Sequence, residues 1–157
     1  MEPVAARAAA TARVRPAATG DASDVARLLG HLGYPCEDHE AAERIAVVIS
    51  DRRQHLLLAE LDGEACGLIA LYTLYSLAHG SELARITALV VAPECARSGI
   101  GRLLLREVEQ LSRRHGIHRI EVTSNARRVD AHAFYRDCGY NDDSRRLVAL
   151  HALLSES

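Results

Sequence analysis

Apolar positions recur along this chain with two different periods, and the switches between them mark its elements. A short extended segment opens at Val14 and closes at Pro16. Val25, Leu28, Leu29 and Leu32 then fall at helical spacing, with Asp21 or Ser23 able to cap the helix and Gly33 to end it. Tyr34-Pro35 makes a bend, and a second amphipathic helix is expected from about Glu40 to Ser50 with Ile45, Val48 and Ile49 inward. His55 to Leu61 and Cys66 to Leu74 read as strands, and the Asp62-Gly63 turn between them makes an antiparallel pair. Leu83 to Ala92 is too apolar for an edge strand and belongs in the middle of a sheet. Helical spacing returns with Ile100, Leu104, Val108 and Leu111, and Gly116 stops it. A strand at about His118 to Ser124, a short helix from about Asp130 to Cys138 and an apolar segment from Leu147 to Leu154 complete the order. The pattern predicts an α/β (α+β) fold, a mixed sheet with helices against it.

A length of 157 residues, 48% hydrophobic and 25% charged, suits one soluble domain with a single core. Residues 1–13 are Ala-rich with Arg7 and Arg13, and we expect a disordered lead followed by one domain over 14–157. The lead lacks the compact apolar centre of a signal peptide, and no stretch is long enough to span a bilayer. A net charge of −2 gives no basic excess that would point to nucleic acid. Cys36, Cys66, Cys95 and Cys138 are widely spaced, with no C-x-x-C pair and no histidine at zinc-ligand spacing. The expectation is a cytoplasmic protein with free thiols, no metal, no nucleic acid and no membrane.

Three places carry candidate chemistry. Between the apolar run ending at Val90-Val91 and the helical Leu103-Leu104-Leu105 lies Ala92-Pro93-Glu94-Cys95-Ala96-Arg97-Ser98-Gly99-Ile100-Gly101-Arg102. Its two glycines allow backbone N–H groups to approach an anion where a helix begins, which suits a phosphate or pyrophosphate; an ordinary strand-to-helix turn has the same composition. Glu121 sits between Ile120 and Val122 on an interior strand, so alternation turns it, with Thr123, to the other face. A carboxylate there is costly unless solvated or paired, which implies a cleft or a partner such as Arg127, Arg128 or Arg145. Ala131, Phe134, Tyr135 and Cys138 are spaced i, i+3, i+4, i+7, which by itself makes Tyr135 part of a packed stripe.

In this order the blocks resemble the GNAT superfamily of acyl-CoA-dependent N-acyltransferases over nearly the whole length. Arg15-Pro16-Ala17, Gly20-Asp21-Ala22 and Leu32-Gly33-Tyr34-Pro35 are similar to the opening of small bacterial members. Ile86-Thr87-Ala88-Leu89-Val90-Val91 with Gly99-Ile100-Gly101 resembles the family's central strand and pyrophosphate loop. Glu121-Val122-Thr123-Ser124-Asn125, Ala131-His132-Ala133-Phe134-Tyr135 and Gly139-Tyr140 resemble its last strand and helix. Where the family carries Gln or Arg this chain has Ala96, with Arg97 beside it.

The resemblance implies a mixed, mostly antiparallel twisted sheet flanked by helices, and acetyl-CoA as cosubstrate. Its pyrophosphate would be held by Arg97, Ser98, Gly99, Ile100, Gly101 and Arg102, and its pantetheine arm by backbone groups of Leu89, Val90 and Val91. Asn125 matches a cofactor-contacting position, although three extra residues separate it from Tyr135 compared with some relatives. Tyr135 is the implied acid for the departing thiolate, and Glu121 the implied base for the amine, with Glu82 as runner-up. The implied acceptor is a primary amine of a small molecule or a peptide, and homodimers are common in the family.

Two other activities fit the same resemblance: an acyl-CoA-binding regulatory module without catalysis, and acetylation of protein N-termini or lysines. Ser23 to Gly30 looks superficially like the first half of a DNA-binding helix-turn-helix, but Pro35, Glu37, Asp38 and Glu40 stand where a recognition helix would follow. The Gly99-Ile100-Gly101 turn lacks the third glycine of a dinucleotide fingerprint and any following Gly-Lys-Ser/Thr. In the family the acceptor pocket is built from residues corresponding here to about 28–45 and 75–83. Tyr34, Glu37, Asp38, Glu40, Tyr75 and Glu82 there would attract a cationic amine, and hydrated loop charge accounts for them equally well.

Overall fold

The computed structural model describes residues 11–123, 129–141 and 148. The chain divides after Val122 into two compact units. Strand β1 (Ala12–Pro16) leads through a 3-10 turn (Thr19–Asp21) into helices α1 (Ala22–Leu32) and α2 (Asp38–Ser50). Strands β2 (Gln54–Leu61), β3 (Glu64–Ser76) and β4 (Ser81–Val91) follow, then a second 3-10 turn (Pro93–Cys95), helix α3 (Ile100–Arg114) and strand β5 (Ile120–Val122). Helix α4 (Val129–Asp137) belongs to the second unit.

The strands lie in the order β1-β2-β3-β4-β5, antiparallel except for the parallel pair β4 and β5. The expected mixed, mostly antiparallel sheet is therefore present, with β4 inside it. Asp62 and Gly63 turn the β2–β3 hairpin at φ 54° and 84°, the pair of left-handed residues that a type I′ turn requires.

Alternation distributes the core over two faces. On one, Leu58, Leu68 and Val90 pack with Val25 and Leu28 of α1 and Ala41 and Ile45 of α2. On the other, α3 buries Ile100, Leu104, Leu105, Val108 and Leu111, the stripe its spacing predicted. Helices α1 and α3 end at Gly33 and Gly116 as expected. An ion cluster fastens the first strand: Arg15 donates Nη1 and Nη2 to Asp21 at 2.8 and 2.7 Å and also contacts Glu60, while the Ala18 amide donates to Asp21 at 2.7 Å.

Some boundaries differ from the sequence pattern. β1 begins at Ala12, so Ala12 and Arg13, expected in the lead, pair with Leu61 and Glu60. Ile49, expected inward, is exposed because α2 meets the sheet along the narrower stripe of Ala41, Ile45 and half-buried Val48. β3 and β4 run beyond their apolar cores into a hairpin arm that pairs Tyr75 with Glu82 and Ser76 with Ser81. β5 is reduced to three residues. The expected last apolar segment, apart from Val148, and residues 1–10 lie outside the described residues. No described helix is long and apolar enough to cross a membrane, and no described group of histidines, cysteines and carboxylates could hold a metal ion.

Candidate functional site

The strand-to-helix segment is shaped by two left-handed residues. Ala92 prolongs the sheet by donating its N–H to Cys66 O at 2.8 Å, and Pro93–Cys95 forms the 3-10 turn. Arg97 then stands at φ 62° and Gly99 at φ 85°, with Gly99 as the residue before the first turn of α3. Successive amides around such left-handed residues form a concave nest that suits an anion. Ser98 N–H donates to Cys95 O at 3.3 Å, and the Ser98 hydroxyl is engaged by the same carbonyl. By contrast, the N–H groups of Arg97, Gly99, Ile100, Gly101 and Arg102 have no backbone acceptor among the described residues. The helix dipole adds positive potential at this end, and Arg97 and Arg102 are exposed without a carboxylate partner among the described residues.

A residue that the sequence reading did not single out fixes where this helix starts. A Cβ on Gly67 of β3 would lie 3.0 Å from Ile100 Cγ2, 3.2 Å from Val90 O and 3.3 Å from Leu104 Cδ1. Only hydrogen at that position lets the first turn of α3 approach the sheet so closely.

Strand β4 changes character at Thr87. Its register against β3 passes from Ile86 opposite Leu71 to Ala88 opposite Ala70, leaving Thr87 as a bulge. β5 pairs with β4 only through Ala84, Arg85 and Ile86. Beyond Thr87, the edge of β4 carrying Leu89, Val90 and Val91 has no strand partner on the β5 side among the described residues. Such an edge offers N–H and C=O groups to an extended chain.

At the fork between β4 and β5, three residues stand in register: Tyr72 opposite Arg85, and Arg85 opposite Glu121. Arg85 donates Nε and Nη2 to Glu121 Oε1 at 3.0 and 2.7 Å and Nη1 to Tyr72 OH at 2.8 Å. Arg119 Nε donates to the other oxygen, Oε2, at 2.9 Å. These bonds, from Arg119 and Arg85, hold the Glu121 carboxyl below the usual carboxylate range. Alternation thus correctly marked Glu121 as needing partners, but those in place are Arg85 and Arg119. Arg127, Arg128 and Arg145 lie outside the described residues, as does Asn125. The available signal was Arg85 itself, the single charge in the apolar run from Leu83 to Val91.

Tyr135 lies on α4 with Ala131 and Phe134, and Cys138 follows the helix end; all four are half-buried, the stripe that periodicity predicted. Its ring meets Phe134 and Tyr140 edge-on at 5.6 and 5.9 Å between centroids. Tyr140 N–H donates to Tyr135 O at 2.9 Å where the helix ends. Elsewhere in the first unit, a pocket of about 380 Å³ among β1, the start of β2 and Leu111 and Arg114 of α3 lies toward the opposite end of that helix from the loop.

A mixed sheet with a central strand freed at one edge and a nest of amides at the following helix defines an acyltransferase scaffold. Residues 23–140 match the model of the acetyltransferase (GNAT) family, and the chain belongs to that family as an N-acetyltransferase. It is 33% identical over 136 residues to the aminoalkylphosphonate N-acetyltransferase of Salmonella typhimurium, covering 86% of this chain and 88% of that protein. It is 29% identical over 136 residues to the aminoglycoside N(6′)-acetyltransferase type 1 of Stenotrophomonas maltophilia, covering 84% and 88%. A solved structure described as a transcriptional regulator from Bacillus halodurans superposes with a TM-score of 0.82 at 21% identity, covering 89% of this chain and 99% of that one, a likeness of fold.

Proposed function

We propose that the chain transfers the acetyl group of acetyl-CoA to a primary amine of a small molecule by direct attack in a ternary complex. The observation that carries this reading is the row of N–H groups at Arg97 and Gly99 to Arg102 without backbone acceptors, directly following the free edge of β4. Those amides fit a pyrophosphate, with Arg97 and Arg102 adding charge, and Leu89 to Val91 fit a pantetheine arm. When bound, acetyl-CoA supplies an activated thioester whose C–S bond gives way as the bond to the amine nitrogen forms.

The chain's own groups then have three tasks. A β4 backbone N–H polarises the carbonyl. Glu121, ionised through neutral pH, orders a water that takes the amine's proton, its low proton affinity passing that proton on to solvent. Tyr135 gives its phenolic proton to the departing thiolate. Asn125 adds a contact to the cofactor. Relatives named for acetylating aminoalkylphosphonates and aminoglycosides support a small-molecule acceptor. The free cysteines support a cytoplasmic setting.

The test is thiol release from acetyl-CoA across a panel of small amines, with Tyr135→Phe in parallel. Amine-dependent release is expected, and the variant should lower kcat by about 100-fold, the lower end for a lost general acid, with little change in KM. Acetyl-CoA binding without turnover, or turnover indifferent to Tyr135→Phe, would overturn the enzymatic reading or the role of the tyrosine respectively.

A further inference from the structure

The cluster at the β4–β5 fork has donors to spare. Arg85 has five N–H groups, of which three are engaged by Glu121 and Tyr72. Tyr72 accepts from Arg85, so its own hydroxyl proton is available. Among the described residues, Arg119 uses only Nε. Two guanidinium groups around one carboxylate leave a net charge of +1, and the side chains of Arg85, Glu121 and Arg119 are 32%, 26% and 53% exposed. Along β4, Arg85 precedes the Thr87 bulge by two residues, about 7 Å at strand rise, just where the free edge begins. Of the acidic residues expected to draw a cationic acceptor, Asp38 and Glu40 are otherwise employed. Glu40 Oε1 accepts the Glu37 N–H at 2.9 Å, and Asp38 and Glu40 occupy the first turn of α2, where negative charge complements the helix dipole.

We propose that Arg85, with Tyr72 and Arg119, forms an anion subsite that selects acceptors bearing a phosphonate, phosphate or carboxylate a few bonds from the amine. Glu121 is the positioning residue that holds both guanidinium groups in place, and the planar fork of Arg85 suits a bidentate oxyanion. The inference rests on the acetyl-transfer reading and names its acceptor class.

The experiment compares kcat/KM for 2-aminoethylphosphonate, β-alanine, n-propylamine and a polycationic aminosugar, and separately follows thermal stabilisation of the protein by methylphosphonate without acetyl-CoA. The phosphonate should exceed propylamine at least tenfold, and Arg85→Gln should lower that ratio about 30-fold, mainly through KM, with Arg85→Lys between. Tyr72→Phe and Arg119→Gln, milder changes to the same cluster, should each lower it severalfold, which guards against a misfolded Arg85 variant. Methylphosphonate should raise the Tm of the wild type and not of Arg85→Gln.

Propylamine or the aminosugar used as well as the phosphonate, or methylphosphonate acting equally on wild type and Arg85→Gln, overturns the subsite while acetyl transfer stands. Arg85-dependent stabilisation by methylphosphonate with no amine acetylated leaves the subsite and overturns acetyl transfer. Neither stabilisation nor turnover overturns both.

Discussion

Replacing Gly67 by alanine tests whether the start of α3 is set by its contact with β3. The new Cβ would meet Leu104 Cδ1 at 3.3 Å, a side-chain end that can rotate, but also Ile100 Cγ2 at 3.0 Å, which moves only with the stiff χ1 of a helical isoleucine, and Val90 O at 3.2 Å, which is backbone. Overpacking of this kind costs about 1–3 kcal/mol, and the reduced freedom of the unfolded chain returns about 0.4–1 kcal/mol. The net expectation is a loss of about 1 kcal/mol, read from urea unfolding as a lower midpoint with unchanged slope. Ile100 begins α3 directly after Gly99, so the strain falls on the amide nest, and CoA affinity measured by titration calorimetry should weaken severalfold. Ile100→Ala removes the closest methyl at its own cost of about 2–5 kcal/mol. In that background Gly67→Ala should cost less than it does alone, a coupling of about 0.5–1 kcal/mol in a double-mutant cycle. Strict additivity, or CoA affinity untouched by Gly67→Ala, would refute the reasoning.

Two further substitutions in the loop should act with opposite sign, as thermal unfolding will show. Gly99→Ala at φ 85° should cost about 1 kcal/mol, whereas Arg97→Gly at φ 62° should be neutral to slightly stabilising yet raise the KM for acetyl-CoA. Asp21→Asn should destabilise by about 1–3 kcal/mol at pH 7, between exposed and buried ion pairs. Arg15, with the Ala18 amide, lowers the Asp21 pKa, so this stability is present above the unfolded value near 3.9 and is lost as pH falls through the folded one. The gap between wild type and Asp21→Asn in urea midpoints should therefore close below about pH 4.

The apolar periodicity of Val25 and Leu28, of Ile45 and of Ile100 to Leu111 was enough to locate the helices, because each buries one stripe against the sheet. It also placed β4 inside. What it missed depends on register or close approach, which no local pattern records. Glu121 was recognisable as a carboxylate in need of partners, but Arg85 became its partner only through the parallel pairing of β4 and β5, while Arg119, two residues upstream, was a local partner left unremarked. Gly67 reads as one more glycine in a strand until Ile100 is seen against it. Ile49 looked inward because helical periodicity fixes the direction of a stripe but not its width. The strand-to-helix turn was legible from Gly99 and Gly101, while the left-handed conformation at Arg97 has no signature, since arginine seldom adopts it.

Thr87 divides β4 into two halves suited to recognise in different ways. Before it, Ala84, Arg85 and Ile86 are bonded on both edges, so recognition falls to side chains, and Arg85 carries the charge among those three. After it one edge is unpaired among the described residues, and the backbone itself becomes the recognising group, leading directly into the amides of the loop. A backbone edge is indifferent to the side chains that line it. The proposed pyrophosphate site therefore does not depend on Gln or Arg in place of Ala96, because the donors proposed for it are N–H groups oriented by φ at Arg97 and Gly99. On the proposed reading the same logic separates what can vary: substitutions at Tyr72, Arg85 or Arg119 would change which acceptor fits, while an acyl donor held mainly by backbone groups would be less sensitive to the side chains around it.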